Sequence, residues 1–200
     1  MNILRSSLAG LLIAASLFAQ EMKPIPLPKP QTDGGRPLMQ VLKERQTRRE
    51  FSPGSLSLQT LSNLLWAAWG VNRPDGRRTA PSASNRQEID VYVALAEGVY
   101  LYNAQIHQLE PVAKADLRLE KEAALNLFYV ADQTKQGGTS DATNAANTGF
   151  IAQNVYLFCA SEGLATVVRG SFNRESPAKA MRLRPGQKIT MNQAVGFPKK

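Results

Sequence analysis

The sequence predicts one α+β domain built on mainly antiparallel strands. Two segments early in the chain place apolar residues at helical spacing, whereas the middle of the chain alternates apolar and polar residues with a period of two. Helical and strand patterns alternate without the regular βαβ order that a parallel sheet requires. A chain of 200 residues is long enough for one domain with a sizeable core, and no repeat of fixed period interrupts it.

The first element, residues 1–19, predicts a secretory signal peptide. An arginine precedes an apolar run over residues 8–19, broken only by one glycine and one serine, and polar residues follow. The run is shorter than the roughly 20 residues of a spanning helix, and an uncleaved membrane anchor is the alternative. Ala19 is small enough for cleavage before Gln20. We therefore expect an exported, periplasmic protein with no stable membrane insertion after removal of this segment.

Residues 20–37 predict an extended arm or linker ahead of the domain, which covers residues 38–200. The arm is rich in proline and glycine, which disfavour helices and central strands. The domain opens with Leu38, Met39 and Leu42 at helical spacing, which predicts a short amphipathic helix.

A second helix is bounded by a capping serine, Ser57, and by Gly70. Its predicted core face consists of Leu58, Leu61, Leu65 and Trp69. The period then changes to two over residues 89–101, with a break at Glu97 and Gly98, which predicts two antiparallel strands joined by a tight turn.

The second half of the chain predicts further strands and one more helix. A third strand is expected through Ile106 and Leu109, and a buried strand around residues 127–130. The polar segment 133–147 is either a mobile loop or the start of a helix, and the apolar positions after it predict a helix that ends at Gly163. The remaining strands are expected within residues 164–170 and 187–197.

Charge and rare residues exclude several kinds of site. The formal charge of +8 is spread along the chain, which argues against nucleic acid and leaves either a phosphate on a small molecule or an ordinary basic surface. One cysteine, Cys159, and one histidine, His107, cannot build a His/Cys zinc site. Cys159 lies in an apolar segment and is expected to be a buried small side chain. A Ser-His-Asp triad has only His107 to use, in a turn-rich context, and is disfavoured.

A first polar stretch, "ERQTRREF", follows the first predicted helix. It places guanidinium groups around a hydroxyl, in the order Arg45, Gln46, Thr47, Arg48 and Arg49. Guanidinium groups present several planar donors that suit phosphate oxygens. The alternative is that these arginines only interact with the carboxyl end of the preceding helix.

A second stretch, "PSASNRQ", enters the predicted hairpin. Pro81 restricts the residue before it to extended geometry, while Asn85 and Gln87 offer amide donors and acceptors. Small residues, including Ser82, keep the surface flat, which suits a planar heterocycle. The alternative is an ordinary polar entry into a strand. A third stretch, "SEGLATVVRG", joins a helix to a strand through glycines that allow close backbone approach.

Together these stretches resemble the nitroreductase family of FMN flavoproteins, and most closely its SagB-type branch, whose best-known members oxidise thiazoline and oxazoline rings in modified peptides. The family's opening arginine motif is matched from Arg45 to the aromatic Phe51, and its Pro-Ser-x-x-Asn-x-Gln loop is matched by residues 81–87. The segments "NLLWAAWGVNR" and "AVGFPKK" are similar to that branch. The likeness covers residues 37–200.

The resemblance implies a nitroreductase-like fold, a central sheet flanked by helices, and a homodimer with two FMN molecules at the subunit interface. The phosphate and ribityl chain would be held by Arg45, Gln46, Thr47, Arg49 and Lys199 or Lys200. The isoalloxazine would lie against Pro81, Ser82 and Asn85 of the other subunit. Backbone N–H groups near Arg169 and Gly170 would approach flavin N5.

The resemblance also implies the reaction. FMN would carry a hydride or electrons through N5 from a small-molecule donor to a small-molecule acceptor in a ping-pong scheme, and no acid/base side chain is required of the protein. The sequence accordingly nominates no catalytic residue and no metal ligand. The alternative is a flavin-binding or interaction protein that has the fold without turnover.

Overall fold

The computed structural model describes residues 21–135 and 139–200, so the expected signal peptide and part of the 133–147 segment lie outside the described residues. The helices are α1 (Leu38–Glu44), α2 (Leu58–Trp69), α3 (Asp141–Glu162) and α4 (Glu175–Ala180). The strands are β1 (Ile25–Pro26), β2 (Phe51–Ser52), β3 (Ile89–Ala94), β4 (Val99–Asn103), β5 (Gln108–Ala113), β6 (Leu125–Asp132), β7 (Ala165–Arg169) and β8 (Gln187–Pro198).

Within the described residues, eight strands form one antiparallel sheet, which confirms the predicted α+β class. The order is β1-β5-β4-β3-β6-β8-β2, and β7 also pairs with β8. The hairpin of β3 and β4 is confirmed, with Tyr92 opposite Leu101 and a backbone hydrogen bond of 2.9 Å from Leu95 N to Gly98 O across the turn. Strand β6 pairs with β3 on one side and β8 on the other, so it lies at the centre of the sheet.

Both faces of the central strands are buried. Val91 and Val93 pack on the face that carries α2 and α3, whereas Tyr92 packs on the opposite face with Phe128 and Met181. Ala178 of α4 packs against the residues of this second face. The sequence patterns did not predict this short helix. Because both faces are covered, β6 is buried at every position and shows no apolar/polar alternation.

Helix α2 has the predicted ends, and most of its predicted core face is buried. The Ser57 side chain accepts a hydrogen bond of 3.0 Å from Thr60 N, which caps the helix. Leu61, Leu65 and Trp69 are buried, but Leu58 is 46% exposed. The prediction for Leu58 was wrong because it lies in the first turn, which extends beyond the edge of the core.

The structure places the start of α3 inside the ambiguous polar segment. Ser140 caps the helix by accepting from Thr143 N at 3.1 Å, and Gly163 ends it with a left-handed φ of 70°. Two turns of the helix bury polar residues, namely Asn144, Asn147 and Thr148. The apolar pattern therefore failed to mark the true start of the helix.

Helix α1 forms as predicted but presents a different face. Val41 is its buried residue, at 3% exposure, while Leu38, Met39 and Leu42 are 60%, 77% and 44% exposed in the single chain. These three side chains form an unpartnered apolar face, which we call the α1 face.

The proline-rich arm lies along the domain. Its short strand β1 adds to the edge strand β5, and Leu27 enters the main core. Ser62 of α2 donates a hydrogen bond of 2.6 Å to the carbonyl oxygen of Pro28, and Gln31 N donates to Asn63 Oδ1 at 2.9 Å. Within the described residues, no helix is both long and apolar enough to cross a membrane.

Candidate functional site

The arginine segment, residues 45–49, runs from the end of α1 past the edge of β7. Arg48 N donates a backbone hydrogen bond of 3.0 Å to the carbonyl oxygen of Thr166 in β7. Just beyond the segment, Lys199 N donates to Glu50 O at 3.3 Å, so the carboxyl-terminal end lies beside it. Backbone contacts thus fix the segment, while the side chains of Arg48 and Arg49 are exposed.

Tyr156 on α3 joins this segment to β7. Its hydroxyl lies 3.0 Å from the Thr47 hydroxyl and accepts a 3.0 Å hydrogen bond from Val168 N. Because the N–H of Val168 can only donate, the tyrosine proton is free to point toward Thr47. The Arg45 guanidinium lies over the tyrosine ring, 5.2 Å from its centroid. Sequence analysis missed Tyr156 because nothing distinguishes it from the apolar residues around it.

The guanidinium groups of Arg45, Arg48 and Arg49 form no ion pair with a carboxylate in the described parts of the chain. The nearest acidic residue in sequence before them, Glu44, is already engaged with Arg36, whose Nη2 lies 2.5 Å from the carboxylate. That hydrogen bond holds the pKa of Glu44 below its usual value. The segment is therefore a cluster of cations without internal neutralisation.

Two recesses flank the arginine segment. Arg45, Gln46 and Arg48 line one of about 380 Å³, together with Tyr156. Arg49 and Lys199 line the other, of about 310 Å³, which we call the Lys199 recess. The structure thus brings Arg45 together with Gln46, and Arg49 together with Lys199, but it divides the predicted phosphate ligands between two sides of the segment.

The loop of residues 81–87 has a strained backbone and is held by hydrogen bonds between its own residues. Ser84, Asn85 and Gln87 have positive φ values of 53°, 53° and 51°, a region that non-glycine residues seldom adopt. Gln87 N donates to the Ser82 hydroxyl at 3.0 Å, and Gln87 Nε2 donates to Asn85 Oδ1 at 3.0 Å. Pro81 and Asn85 are exposed. The loop therefore holds a fixed, unusual shape with an open outer surface.

Helix α3 also anchors this loop. Ala83 N donates to Asn147 Oδ1 at 3.3 Å, and Asn147 Nδ2 donates to Glu88 Oε1 at 2.6 Å. Asn147 and Tyr156 are nine positions apart, which corresponds to about 13 Å along a helix axis. The same helix thus positions the arginine segment and the 81–87 loop at separate places on one protomer.

The turn after β7 contains the other two predicted residues, Arg169 and Gly170. Arg169 Nη1 lies 2.5 Å from Glu120 Oε1, and Gly170 O accepts a short hydrogen bond from Arg174. Arg174 also donates to the carbonyl oxygen of Thr190 at 3.0 Å. A Cβ added at Gly170 would meet no atom within 4 Å, so the turn faces open space.

The remaining reactive side chains are structural. His107 Nε2 lies 2.7 Å from the Ser62 hydroxyl, but Ser62 is fully buried and Nδ1 contacts Tyr102 at 2.9 Å instead of a carboxylate. Burial lowers the pKa of His107. Cys159 is buried, as predicted, and burial raises the pKa of its thiol. Neither group is placed for nucleophilic catalysis.

Removal of the Tyr156 hydroxyl should destabilise the protein. In Tyr156→Phe, Val168 N and the Thr47 hydroxyl lose a partner, and we expect a loss of about 1–2 kcal/mol in the free energy of unfolding, measured by urea denaturation. Tyr100→Phe is the matched control, since the Tyr100 ring is 5% exposed and its hydroxyl forms no hydrogen bond within the described residues. Equal losses in the two variants would contradict the bridging role.

Comparison with known proteins gives consistent similarities. Residues 42–197 match the protein family that is described as "Nitroreductase family". A relative from Methanocaldococcus jannaschii, provisionally named a nitroreductase, is 31% identical over 156 residues, which cover 68% of this chain and 79% of the relative. A crystal structure from Ralstonia eutropha JMP134, provisionally described as a nitroreductase, has a TM-score of 0.84 and 41% identity, and the match covers 90% of this chain and 91% of that one.

A more distant similarity shows the fold alone. A structure from Desulfovibrio desulfuricans, provisionally described as a nitroreductase in complex with FMN, has a TM-score of 0.59 and 17% identity. The match covers 84% of this chain and 89% of that one.

Proposed function

The chain belongs to the nitroreductase family, and from that premise we propose that it is an exported, FMN-dependent oxidoreductase that works as a homodimer on small-molecule donors and acceptors. The single observation that carries the proposal is the arginine segment, residues 45–49. Its cations lack internal carboxylate partners, and its backbone is fixed against β7 and the carboxyl-terminal end. Such a segment is suited to a phosphate monoester.

The residues on each side of the segment suit FMN in particular. Arg45 and Gln46 offer donors in the recess on one side. Arg49 and Lys199 offer cations in the recess on the other side, which Glu50, Glu120 and Glu122 also line. Complex formation with FMN by the Desulfovibrio protein of the same fold supports the choice of this flavin. When bound, FMN supplies the reversible transfer of a hydride or of electrons.

The chain's own residues would bind and orient the flavin. The turn at Gly170 leaves room for a close approach to its backbone, and Arg174 fixes the carbonyl group of that turn. Because the flavin itself would carry out the electron transfer, we assign binding and orientation to the protein and name no catalytic side chain.

A homodimer would complete the site. The exposed α1 face, together with Phe150 on α3 at 47% exposure, leaves apolar surface uncovered on the single chain. The 81–87 loop and the arginine segment are anchored about two and a half helical turns apart on α3. A second copy would bring the loop of one protomer toward the arginine segment of the other.

Two finer parts of the proposal rest on the sequence. Membership of the SagB-type branch is supported by the "NLLWAAWGVNR" segment, and export by the apolar run of residues 8–19. Export excludes cytosolic NAD(P)H as a ready donor, so we propose that another small molecule reduces the flavin. A flavin-binding protein without turnover is the competing interpretation.

An absorbance and binding experiment tests the proposal. The purified protein is titrated with FMN, and the complex is reduced anaerobically with dithionite and reoxidised with a quinone. We expect saturable binding at micromolar FMN and reoxidation faster than that of free FMN. Binding with reoxidation no faster than that of free FMN would favour the competing interpretation, and absence of binding would overturn both.

Gly170→Ala tests the position of the flavin. Because the added Cβ meets no protein atom within 4 Å, the unfolding free energy of the cofactor-free protein should change by less than about 0.5 kcal/mol. The same methyl group would obstruct a flavin packed on the turn, and we expect roughly tenfold weaker FMN binding. Gly34→Ala in the arm, which has equally open space, is the control and should bind FMN normally. Unchanged affinity in Gly170→Ala would place the flavin elsewhere.

A further inference from the structure

A buried polar chain crosses the sheet and ends at Glu120. Asn126 and Asn192, on β6 and β8, are both fully buried. Asn126 Nδ2 donates to Asn192 Oδ1 at 2.8 Å and to Glu120 Oε2 at 3.3 Å. Buried amides in the middle of a sheet are stabilising only when they are hydrogen-bonded. Here the hydrogen bond from the buried Asn126 amide holds Oε2 of the Glu120 carboxylate.

The other oxygen of Glu120 faces Arg169. Arg169 Nη1 lies 2.5 Å from Glu120 Oε1, and the side chains of Arg169 and Glu120 are 37% and 13% exposed. Arg169 is also opposite Asn192 in the pairing of β7 with β8. The carboxylate is thus hydrogen-bonded through Oε2 and paired with Arg169 by charge through Oε1, a buried oxygen that accepts no hydrogen bond within the described residues.

Glu120 also lines the Lys199 recess, which contains the positively charged side chains of Arg49 and Lys199. These two cations form no ion pair within the described residues. Glu120 is the best-buried acidic side chain of those that line this recess, since Glu50 and Glu122 are exposed. It is thus placed between the residues proposed to bind the FMN phosphate and the turn proposed to face the flavin ring.

From this arrangement we infer that Glu120 is a positioning residue that neutralises Arg169 beside the flavin and thereby sets the reduction potential of bound FMN. The inference rests on the proposed function, because it requires FMN in the site. Reduction adds negative charge to the flavin, and a nearby unpaired cation stabilises the reduced form more than the oxidised form. The paired Arg169 exerts less of this effect than an unpaired one, since the field of the carboxylate opposes it.

Glu120→Gln tests the inference with little change of shape. The glutamine carbonyl can still accept from Asn126, but the negative charge is lost. The midpoint potential of the FMN complex is measured against a reference dye, and the FMN dissociation constant is measured separately. We expect binding of reduced FMN to strengthen about tenfold relative to oxidised FMN, which corresponds to about +30 mV for a two-electron couple.

Two further variants test the direction of the shift in the midpoint potential. Arg169→Gln leaves the Glu120 charge uncompensated and should shift the midpoint potential downward, and the double variant Glu120→Gln with Arg169→Gln should return it close to the wild-type value. Glu122→Gln is the matched control, because Glu122 lines the same recess but forms no ion pair within the described residues; its potential should equal that of the wild type.

The outcomes separate the two proposals. If the wild-type protein does not bind FMN, both the proposed function and the role of Glu120 are overturned. If it binds FMN but Glu120→Gln and Arg169→Gln leave the potential unchanged, only the role of Glu120 is overturned. If Glu120→Gln does not fold, Arg169→Gln alone still tests the role of Glu120. An unchanged or raised midpoint potential of FMN bound to Arg169→Gln would contradict the inference.

Discussion

Arg45→Ala is expected to weaken FMN binding roughly 10- to 150-fold, the equivalent of about 1.5–3 kcal/mol for a lost hydrogen bond to a charged group. Arg45 is held over the Tyr156 ring and forms no ion pair within the described residues, so its charge is available to a phosphate. The measurement is a titration of cofactor-free protein with FMN, in which quenching of the flavin fluorescence reports binding.

The control for Arg45 is Arg77→Ala, which removes the same side chain from a surface pair with Asp75 at 2.9 Å. This exposed pair contributes little to stability and lies outside the proposed site, so FMN affinity should be unchanged. Equal affinity of Arg45→Ala and the wild type, with both proteins folded by circular dichroism, would place the phosphate site elsewhere.

Leu65→Ala is expected to lower the free energy of unfolding by about 2–5 kcal/mol, the range for removal of a fully buried leucine side chain. Leu65 is 0% exposed on the face of α2 that packs in the main core. The deletion therefore removes buried apolar surface and leaves a cavity that the close-packed neighbours fill only in part. Urea denaturation with a single transition gives the value.

Leu58→Ala is the matched control on the same helix. The sequence pattern places both leucines on one face, but Leu58 is 46% exposed, and its replacement should cost less than about 1 kcal/mol. A comparable loss in the two variants would show that Leu58 is covered in solution, for instance by a second copy of the chain. The comparison therefore tests both the core and the extent of the uncovered surface.

The predicted site residues illustrate what a local pattern can specify. The arginine segment could be nominated as a phosphate site because the residue types that suit phosphate are consecutive in sequence, and that assignment stays a prediction. Tyr156 and Glu120 could not be nominated from the sequence, since each contacts a residue that is distant in the chain: Thr47, 109 positions away, and Arg169, 49 positions away. Their roles depend on the way α3 and β7 pack against the segments before them.

The sequence by itself determined the class of fold, the hairpin of β3 and β4, the ends of α2 and the order of the polar segments. These features depend on side-chain periodicity, capping and turn residues, all of which act over a few positions. Only the tertiary structure decided that α3 begins at Asp141, that α1 leaves its apolar face exposed, and that Arg49 lines a recess with Lys199. Each of these depends on which distant surfaces meet, and burial against a distant surface outweighs the weak local preferences of the chain.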